Sequence, residues 1–306
     1  MSRIHIIPAL VLLAACNVQS NSATDLYDGE AMGRIAGTVL DVDGQAIEGV
    51  TVSVDGLTAI TDADGYYTLE AVTPGDALVV EFSLSGFAKN YERTQLVSWE
   101  TVPVDATMSE IDGFGVFASE FGGVIEVDRV DVSFGADAVM YPDGTAYTGD
   151  VRVEITYVDP YTSALEFAPG DLTALAFPTD GNGKDANEPA QLVSYGMLDV
   201  SLYDEDGEPL QLEEDEVAEI SMPITNGTLP NLYHVNEGDA QQTWSFDPSK
   251  GMWVEEGQGE VVMAVDEIID EDPESETFGE VIGEDSYLAF RFEASHFSWW
   301  NCDQGF

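Results

Sequence analysis

The sequence predicts an all-β protein in which two β-sandwich domains follow a secretory signal segment. Apolar and polar residues alternate with a period of two along many short segments, as they do in half-buried strands. Asp-Gly and Pro-Gly pairs separate these segments, and such pairs are typical of tight turns. With 306 residues, 44% of them hydrophobic, the chain can build two cores.

The chain begins with a segment that is typical of a signal peptide. Arg3 gives it a positive start, and residues 6–15 form an apolar run that is too short to span a bilayer. Small residues precede Cys16, so residues 1–15 are expected to be removed. Residues 17–31 are small and polar without apolar periodicity, and residues 16–32 are therefore expected to form a flexible tether.

Residues 13–16 read LAAC and resemble the lipobox of bacterial lipoproteins. The resemblance implies that the thiol of Cys16 is diacylated, that the chain is cut before it, and that the new amino group is acylated. Two or three acyl chains give stable membrane anchoring, at about 0.8 kcal/mol per buried methylene. Asn17 stands where an Asp would resemble the inner-membrane retention signal, so the resemblance favours the outer membrane of a bacterial envelope. A signal that is simply cleaved, with Cys16 as a structural thiol, is the alternative.

Residues 33–108 contain four runs with one apolar face, each ended by a turn signal. The residues predicted to face inward are Ile35, Gly37, Val39, Val50, Val52, Val54, Tyr67, Leu69, Leu78, Val80 and Phe82. This segment resembles the carboxypeptidase regulatory-like domain, a transthyretin-like sandwich, through residues 37–44 (GTVLDVDG), 47–52 (IEGVTV) and 61–69 (TDADGYYTL). The resemblance implies a module without catalysis, because this domain is the non-catalytic appendage of metallocarboxypeptidases.

Residues 111–306 continue the alternation and predict a second, larger β-sandwich. Odd-numbered positions from Val151 to Tyr157 are predicted to face the core, while Arg152, Glu154 and Thr156 face water. Distinctive segments of the region include residues 143–151 (DGTAYTGDV), 194–200 (SYGMLDV) and 296–301 (HFSWWN). Through these and further segments the region resembles the ectodomain shared by cartilage intermediate layer protein and related cell-surface proteins. The resemblance implies an extracellular matrix or surface role without catalysis.

The charge balance excludes one class of partner. The chain has 59 Asp and Glu against 9 Lys and Arg, a formal net charge of −50 that would repel nucleic acid. The same charge strains a compact fold by self-repulsion, which indicates a salty or cation-rich medium. Two acidic stretches, residues 178–189 and 266–280, are predicted to be solvated loops.

Calcium is the cofactor that these carboxylates could hold, since hard cations prefer several oxygen ligands. The candidate ligands lie beside glycine turns and are Asp41, Asp43, Asp62, Asp64, Asp180, Asn182 and Asp185. None of their loops is a complete EF-hand, and Lys184 stands at a position where a ligand would be needed. Plain hairpin turns at Asp43 and Asp64, with diffuse screening of the acidic surface by cations, are the alternative.

One arrangement suggests an enzyme, because metallocarboxypeptidases hold zinc through His-x-x-Glu and a distant His. Here those residues would be His234, Glu237 and His296. The surrounding chain lacks the alternating helices and strands of that catalytic domain, so the other interpretation places His234 in a strand and packs His296 against the terminal aromatic residues. Cys302, in the same aromatic run, is expected to be a buried and inert thiol.

The sequence therefore predicts a non-catalytic, membrane-anchored surface lipoprotein with a structural or adhesive role. Its partners would be the membrane, through the lipid, and surface glycans or proteins. The alternative function is that of a ligand-binding module whose exposed aromatic residues stack on sugars. The aromatic candidates are Tyr66, Tyr67, Trp99, Trp299 and Trp300, which are otherwise expected to close the two cores, with Tyr67 facing inward and Tyr66 outward.

Overall fold

The computed structural model describes residues 31–175, 189–224, 234–270 and 275–305. Cys16 and three of the calcium candidates, Asp180, Asn182 and Asp185, lie outside these ranges. Within the described ranges, no helix is long and apolar enough to cross a membrane. From Met32 onward the chain forms one compact unit.

The first domain is a sandwich of two sheets. Its strands are β1 (Gly33–Asp41), β2 (Thr51–Val54), β3 (Leu57–Ile60), β4 (Tyr66–Val72), β5 (Gly75–Ser83), β6 (Asn90–Leu96), β7 (Thr101–Pro103) and β8 (Ala106–Met108). One sheet has the order β4-β1-β7, with β8 also paired to β1, and the other has the order β3-β2-β5-β6. The residues predicted to face inward, from Ile35 to Phe82, are all buried between these sheets. The alternation of the sequence therefore identified this core.

The backbone of Val104 passes so close to Gly37 that only glycine fits at this position. A Cβ atom at this position would lie 1.8 Å from the backbone oxygen of Val104. The same oxygen accepts a hydrogen bond of 2.7 Å from the buried hydroxyl of Tyr67. Any side chain at position 37 would displace this contact, so the packing of β1 requires glycine there.

The described residues of the second domain form thirteen strands and a short 3-10 helix, Ser163–Phe167. The strands are β9 (Gly113–Ala118), β10 (Gly123–Val127), β11 (Val130–Phe134), β12 (Val139–Met140), β13 (Asp150–Val158), β14 (Thr173–Leu175), β15 (Pro189–Tyr203), β16 (Pro209–Leu212), β17 (Ala218–Pro223), β18 (Ala240–Asp247), β19 (Met252–Ile269), β20 (Val281–Ala294) and β21 (Trp299–Gly305). They join one sheet with the main order β10-β11-β17-β20-β19-β18-β21-β15-β13-β9, and β12, β14 and β16 attach beside it.

This sheet folds over itself and encloses a core. Residues from both of its halves, including Val153, Ile220 and Phe290, belong to one buried cluster. Its two end strands pack together, because a Cβ on Gly115 of β9 would lie only 2.7 Å from the side chain of Ile125 on β10. The predicted all-β, sandwich-type fold is confirmed, with hydrogen bonding that runs continuously from one layer into the other.

A third core joins the two domains, and the sequence did not predict it. Ala88 and Tyr91 of the first domain are buried with Phe246, Trp253 and Trp299 of the second. The rings of Tyr91 and Phe246 have their centroids 5.4 Å apart, and those of Phe246 and Trp253 are 5.6 Å apart. The two domains therefore share apolar packing over their contact.

One prediction from the alternation is wrong. Thr156 is fully buried and does not face water. Val158 lies on the same face of β13 and belongs to the third core, so this core covers the end of the strand on the side that the sequence left exposed.

The acidic stretch at 266–280, predicted to be a solvated loop, begins within a β-strand. Residues 266–269 belong to β19 and pair with the beginning of β20. Arg129 forms ion pairs with Asp266 and Asp285, which lie opposite each other on these strands, and so offsets the repulsion between them.

Candidate ligand-binding cleft

A cavity of about 450 Å³ lies where the first domain meets strands β13 and β15 of the second. Ser83, Phe87 and Lys89 line it from the first domain, and Arg152, Glu154 and Tyr203 line it from the second. Its volume falls within the range of about 300–1,000 Å³ that is usual for ligand pockets.

A second cavity of about 210 Å³ continues from the first, since both are lined by Lys89 and Tyr203. It adds Asp199 and the ring of Phe297. We refer to the two cavities together as the interdomain cleft. Side chains of both domains form it, and Tyr91, Phe246 and Trp299 of the third core line the second cavity.

Strand register explains why charged residues collect on the floor of the cleft. Arg152 lies directly opposite Tyr203, and Thr156 lies directly opposite Asp199. Residues that face each other on neighbouring antiparallel strands point to the same side of the sheet. The polar face of β13 and the polar face of β15 therefore form one surface, which the first domain partly covers.

Asp199 is the most deeply buried carboxylate of the cleft, with 6% of its surface exposed. Burial raises its pKa to about 7, and the ammonium group of Lys89 partly opposes that rise. Among the described residues its carboxylate accepts one long hydrogen bond, 3.4 Å from the hydroxyl of Ser201. Asp199 consequently retains free acceptor positions toward the cleft.

The two cations of the cleft differ in their surroundings. Nε of Arg152 lies 2.8 Å from the carboxylate of Glu154, and its guanidinium group stacks 3.6 Å from the ring centroid of Phe114. Lys89 is half-buried, and none of the described carboxylates approaches its ammonium group within the 4.0 Å of an ion pair. Arg152 therefore has a close carboxylate partner, whereas Lys89 has only the longer-range attraction of Asp199.

The residues of the zinc hypothesis do not form a metal site. His234, Glu237 and His296 are all described, and the described residues contain no group of three His, Cys, Asp or Glu side chains arranged to hold a metal ion. Nε2 of His296 lies 3.6 Å from a carboxylate oxygen of Glu256, and its ring centroid lies 5.0 Å from that of Trp300. His296 thus packs against the terminal aromatic residues, as its other interpretation predicted.

The described calcium candidates are used in turns. Oδ1 of Asp41 accepts hydrogen bonds from the backbone amides of Asp43 and Gln45. Oδ1 of Asp62 binds the amides of Asp64 and Tyr66 in the same way. Such bonds are typical of Asx turns and account for Asp at these positions without a metal. A role in calcium binding stays a prediction.

The aromatic candidates do not form a sugar-stacking platform. Tyr67, Trp299 and Trp300 are buried and close the cores, as expected. Tyr66 and Trp99 are exposed, but they lie at opposite ends of β1, because Tyr66 pairs with Thr38 whereas the backbone amide of Trp99 donates to Met32.

Cys302 is fully buried, and burial raises the pKa of its thiol. The prediction that this thiol is buried is confirmed. A protonated thiol without access to solvent is a poor nucleophile.

Sequence reasoning missed Lys89 and Asp199 as candidate site residues. In the sequence, Asp199 is one polar residue of an alternating strand, and its neighbours in the chain give no sign that it is buried. The scarcity of cations could have pointed to Lys89, since only 9 Lys and Arg occur in the chain.

Comparison with known proteins supports both resemblances. Residues 34–109 match the carboxypeptidase regulatory-like domain. The chain is 34% identical over 118 residues to cartilage intermediate layer protein 2 of Mus musculus, and this match covers 38% of this chain and 9% of that protein. It is 28% identical over 180 residues to cartilage intermediate layer protein 1 of the same species, and this match covers 58% of this chain and 13% of that protein. The chain is thus homologous to these proteins but spans only about a tenth of their length.

Two solved structures show weaker likeness. A putative carbohydrate binding protein from Bacteroides uniformis is 11% identical, covering 87% of this chain and 100% of that one, with a TM-score of 0.22. The TIE protein of Bacillus anthracis is 10% identical, covering 89% and 48%, with a TM-score of 0.25. Likeness at these TM-scores carries no information about function.

Proposed function

We propose that this protein is a non-catalytic surface lipoprotein of a bacterial envelope that acts as a structural or adhesive module. The observation that carries the proposal is the third core, in which buried apolar residues of both domains pack together. Domains that share only a small polar interface move relative to each other, whereas an apolar interface restrains them.

Hydrogen bonds to backbone oxygens of the first domain reinforce that core. The indole N–H of Trp299 donates to the backbone oxygen of Lys89 across 2.8 Å. The amide of Gly170 donates to the backbone oxygen of Tyr91, also across 2.8 Å. Two sandwiches that are held together in this way keep their surfaces in one arrangement relative to each other, which is what a structural or adhesive module needs.

The homology supports the same role. The names of the relatives place those proteins in a layer of cartilage, and this chain shares with them a segment of 118 to 180 residues. The matched family of residues 34–109 is a regulatory-like domain. For this chain we infer a comparable role outside the cell.

Attachment through Cys16 and a position in the outer membrane complete the proposal. They are supported by the signal segment and by the LAAC sequence at residues 13–16. We expect wild-type protein to be recovered with the outer-membrane fraction and to incorporate labelled palmitate.

The test is to express the Cys16→Ser and Cys302→Ala variants in a Gram-negative host. Cys302→Ala removes the other cysteine and serves as the matched control. Cys16→Ser should lose both the label and the membrane recovery, and Cys302→Ala should keep them. Unchanged label and membrane recovery of Cys16→Ser would overturn the anchor.

A further inference from the structure

We propose that the interdomain cleft binds a glycan that carries carboxylate groups, with Lys89 meeting a sugar carboxylate and Asp199 accepting hydrogen bonds from sugar hydroxyls. The inference rests on the proposed adhesive role and names the class of its ligand. Binding by purified protein and location in the cell are separate measurements, so either proposal can fail without the other.

The first observation is that Lys89 forms no close ion pair. The chain carries 59 carboxylates for 9 Lys and Arg, yet Lys89 and Arg93 have no carboxylate within ion-pair distance among the described residues. Lys89 is half-buried on the cavity wall, and none of the described carboxylates lies within ion-pair distance. A partly buried ammonium group loses hydration, and a ligand carboxylate would replace that loss with a charge-assisted hydrogen bond.

The second observation concerns the hydrogen bonding of Asp199. Asp199 is more than nine-tenths buried, lines the adjoining cavity, and has only the long contact to Ser201 among the described residues. Buried polar groups are normally satisfied by hydrogen bonds. An acceptor with free positions suits a ligand rich in hydroxyl groups, and it lies next to the cation that suits a carboxylate.

The remaining lining suits a sugar chain. Ser83, Ser201 and Tyr203 offer hydroxyl groups, and the rings of Phe87 and Phe297 are partly exposed. Hydroxyls exchange hydrogen bonds with sugar hydroxyls, while aromatic faces pack against the apolar face of a sugar ring.

A peptide fits this lining less well. Extended peptides commonly bind by adding a strand to a free sheet edge. Both floor strands of the cleft are internal, since β15 lies between β21 and β13, and β13 lies between β15 and β9. The two floor strands therefore offer side chains to a ligand and no free backbone edge.

Binding would be measured by calorimetric titration of the full-length chain in detergent at about 0.15 M NaCl, where the Debye length of about 8 Å screens the distant carboxylates. The probes are hexasaccharides of polygalacturonate, alginate and hyaluronan. Each is compared with its methyl ester, which keeps the shape of the sugar and removes its charge.

We expect at least one hexasaccharide to bind and its methyl ester to bind at least tenfold more weakly. Lys89→Gln should weaken binding at least tenfold, and Lys89→Arg should restore most of it. The matched control is Arg291→Gln, which removes the same charge from an exposed site 3.9 Å from Glu219 and outside the cleft, and should change affinity less than twofold.

Three outcomes would overturn the proposal. The first is that no uronate hexasaccharide binds. The second is that Lys89→Gln binds as tightly as the wild type. The third is that a hexapeptide with a free carboxyl terminus binds more tightly than every sugar and with the same dependence on Lys89, which would make the cleft a peptide site.

Discussion

The indole nitrogen of Trp299 lies 2.8 Å from the backbone oxygen of Lys89, and this hydrogen bond joins residues 210 positions apart in the chain. Trp299 opens the last strand of the second domain, whereas Lys89 precedes β6 of the first. The bond thus anchors the last strand to the first domain and fixes the backbone of the lysine that lines the cleft.

Replacing Trp299 with Phe should destabilise the protein by about 1–3 kcal/mol, because the Lys89 carbonyl loses its donor and the third core loses volume. The free energy of unfolding in urea measures the effect. Trp99→Phe is the matched control, since Trp99 is 67% exposed, and it should change that free energy by less than about 0.5 kcal/mol. Equal effects of the two substitutions would contradict a structural role for the third core.

Gly37→Ala should destabilise by about 3 kcal/mol or more, because its Cβ would overlap the Val104 backbone oxygen at 1.8 Å. Gly44→Ala meets no atom within 4 Å but has a φ of 77°, so we expect a loss of about 1 kcal/mol. Thermal unfolding of both variants checks this order. A milder effect at position 37 than at position 44 would show that β1 can move away from Val104.

Asp199 should make stability depend on pH. Its pKa is about 7 in the folded protein and near the ordinary value of 3.8 for an aspartate in the unfolded chain, so the folded state holds this proton more tightly. The resulting stabilisation is fully present below about pH 4 and is lost as pH rises through about 7, by up to about 4 kcal/mol.

The Asp199→Asn variant has no titrating group at this position. It therefore separates the pH dependence due to Asp199 from that due to Glu92, because burial also raises the pKa of Glu92 to about 7. The difference in unfolding free energy between the variant and the wild type, measured from pH 4 to pH 8, should grow with pH in favour of Asn. A constant difference would show that Asp199 titrates normally.

Calcium and magnesium should raise the thermal midpoint equally at matched ionic strength. Asp41 and Asp62 already bind backbone amides through Oδ1, which leaves each loop few oxygen ligands. A specific site at about 100 times its dissociation constant would add about 2.7 kcal/mol. A larger shift with calcium that Asp62→Asn abolishes would establish the calcium site that the sequence suggested.

The strands and the first core could be predicted from sequence because each buried face repeats every second residue. Val50, Val52 and Val54 show this within five positions, and the following Asp-Gly pair marks the turn. Such signals are local, so they need no knowledge of distant parts of the chain.

The third core and the cleft could not be predicted in this way. Tyr91, Val158 and Trp299 each read as an ordinary strand residue, and only the docking of two domains brings them together. The same docking buries Thr156 and Asp199, whose polar character indicates exposure when each strand is considered alone. When residues are buried by contact between two domains, the apolar and polar alternation within a single strand does not show it.

The shared core is tested most directly by differential scanning calorimetry of the full-length chain. We expect a single unfolding transition in which the calorimetric and van't Hoff enthalpies agree, because the two domains lose one common core together. Two resolved transitions in the wild type would contradict the account, since they would show that each sandwich is stable without the other.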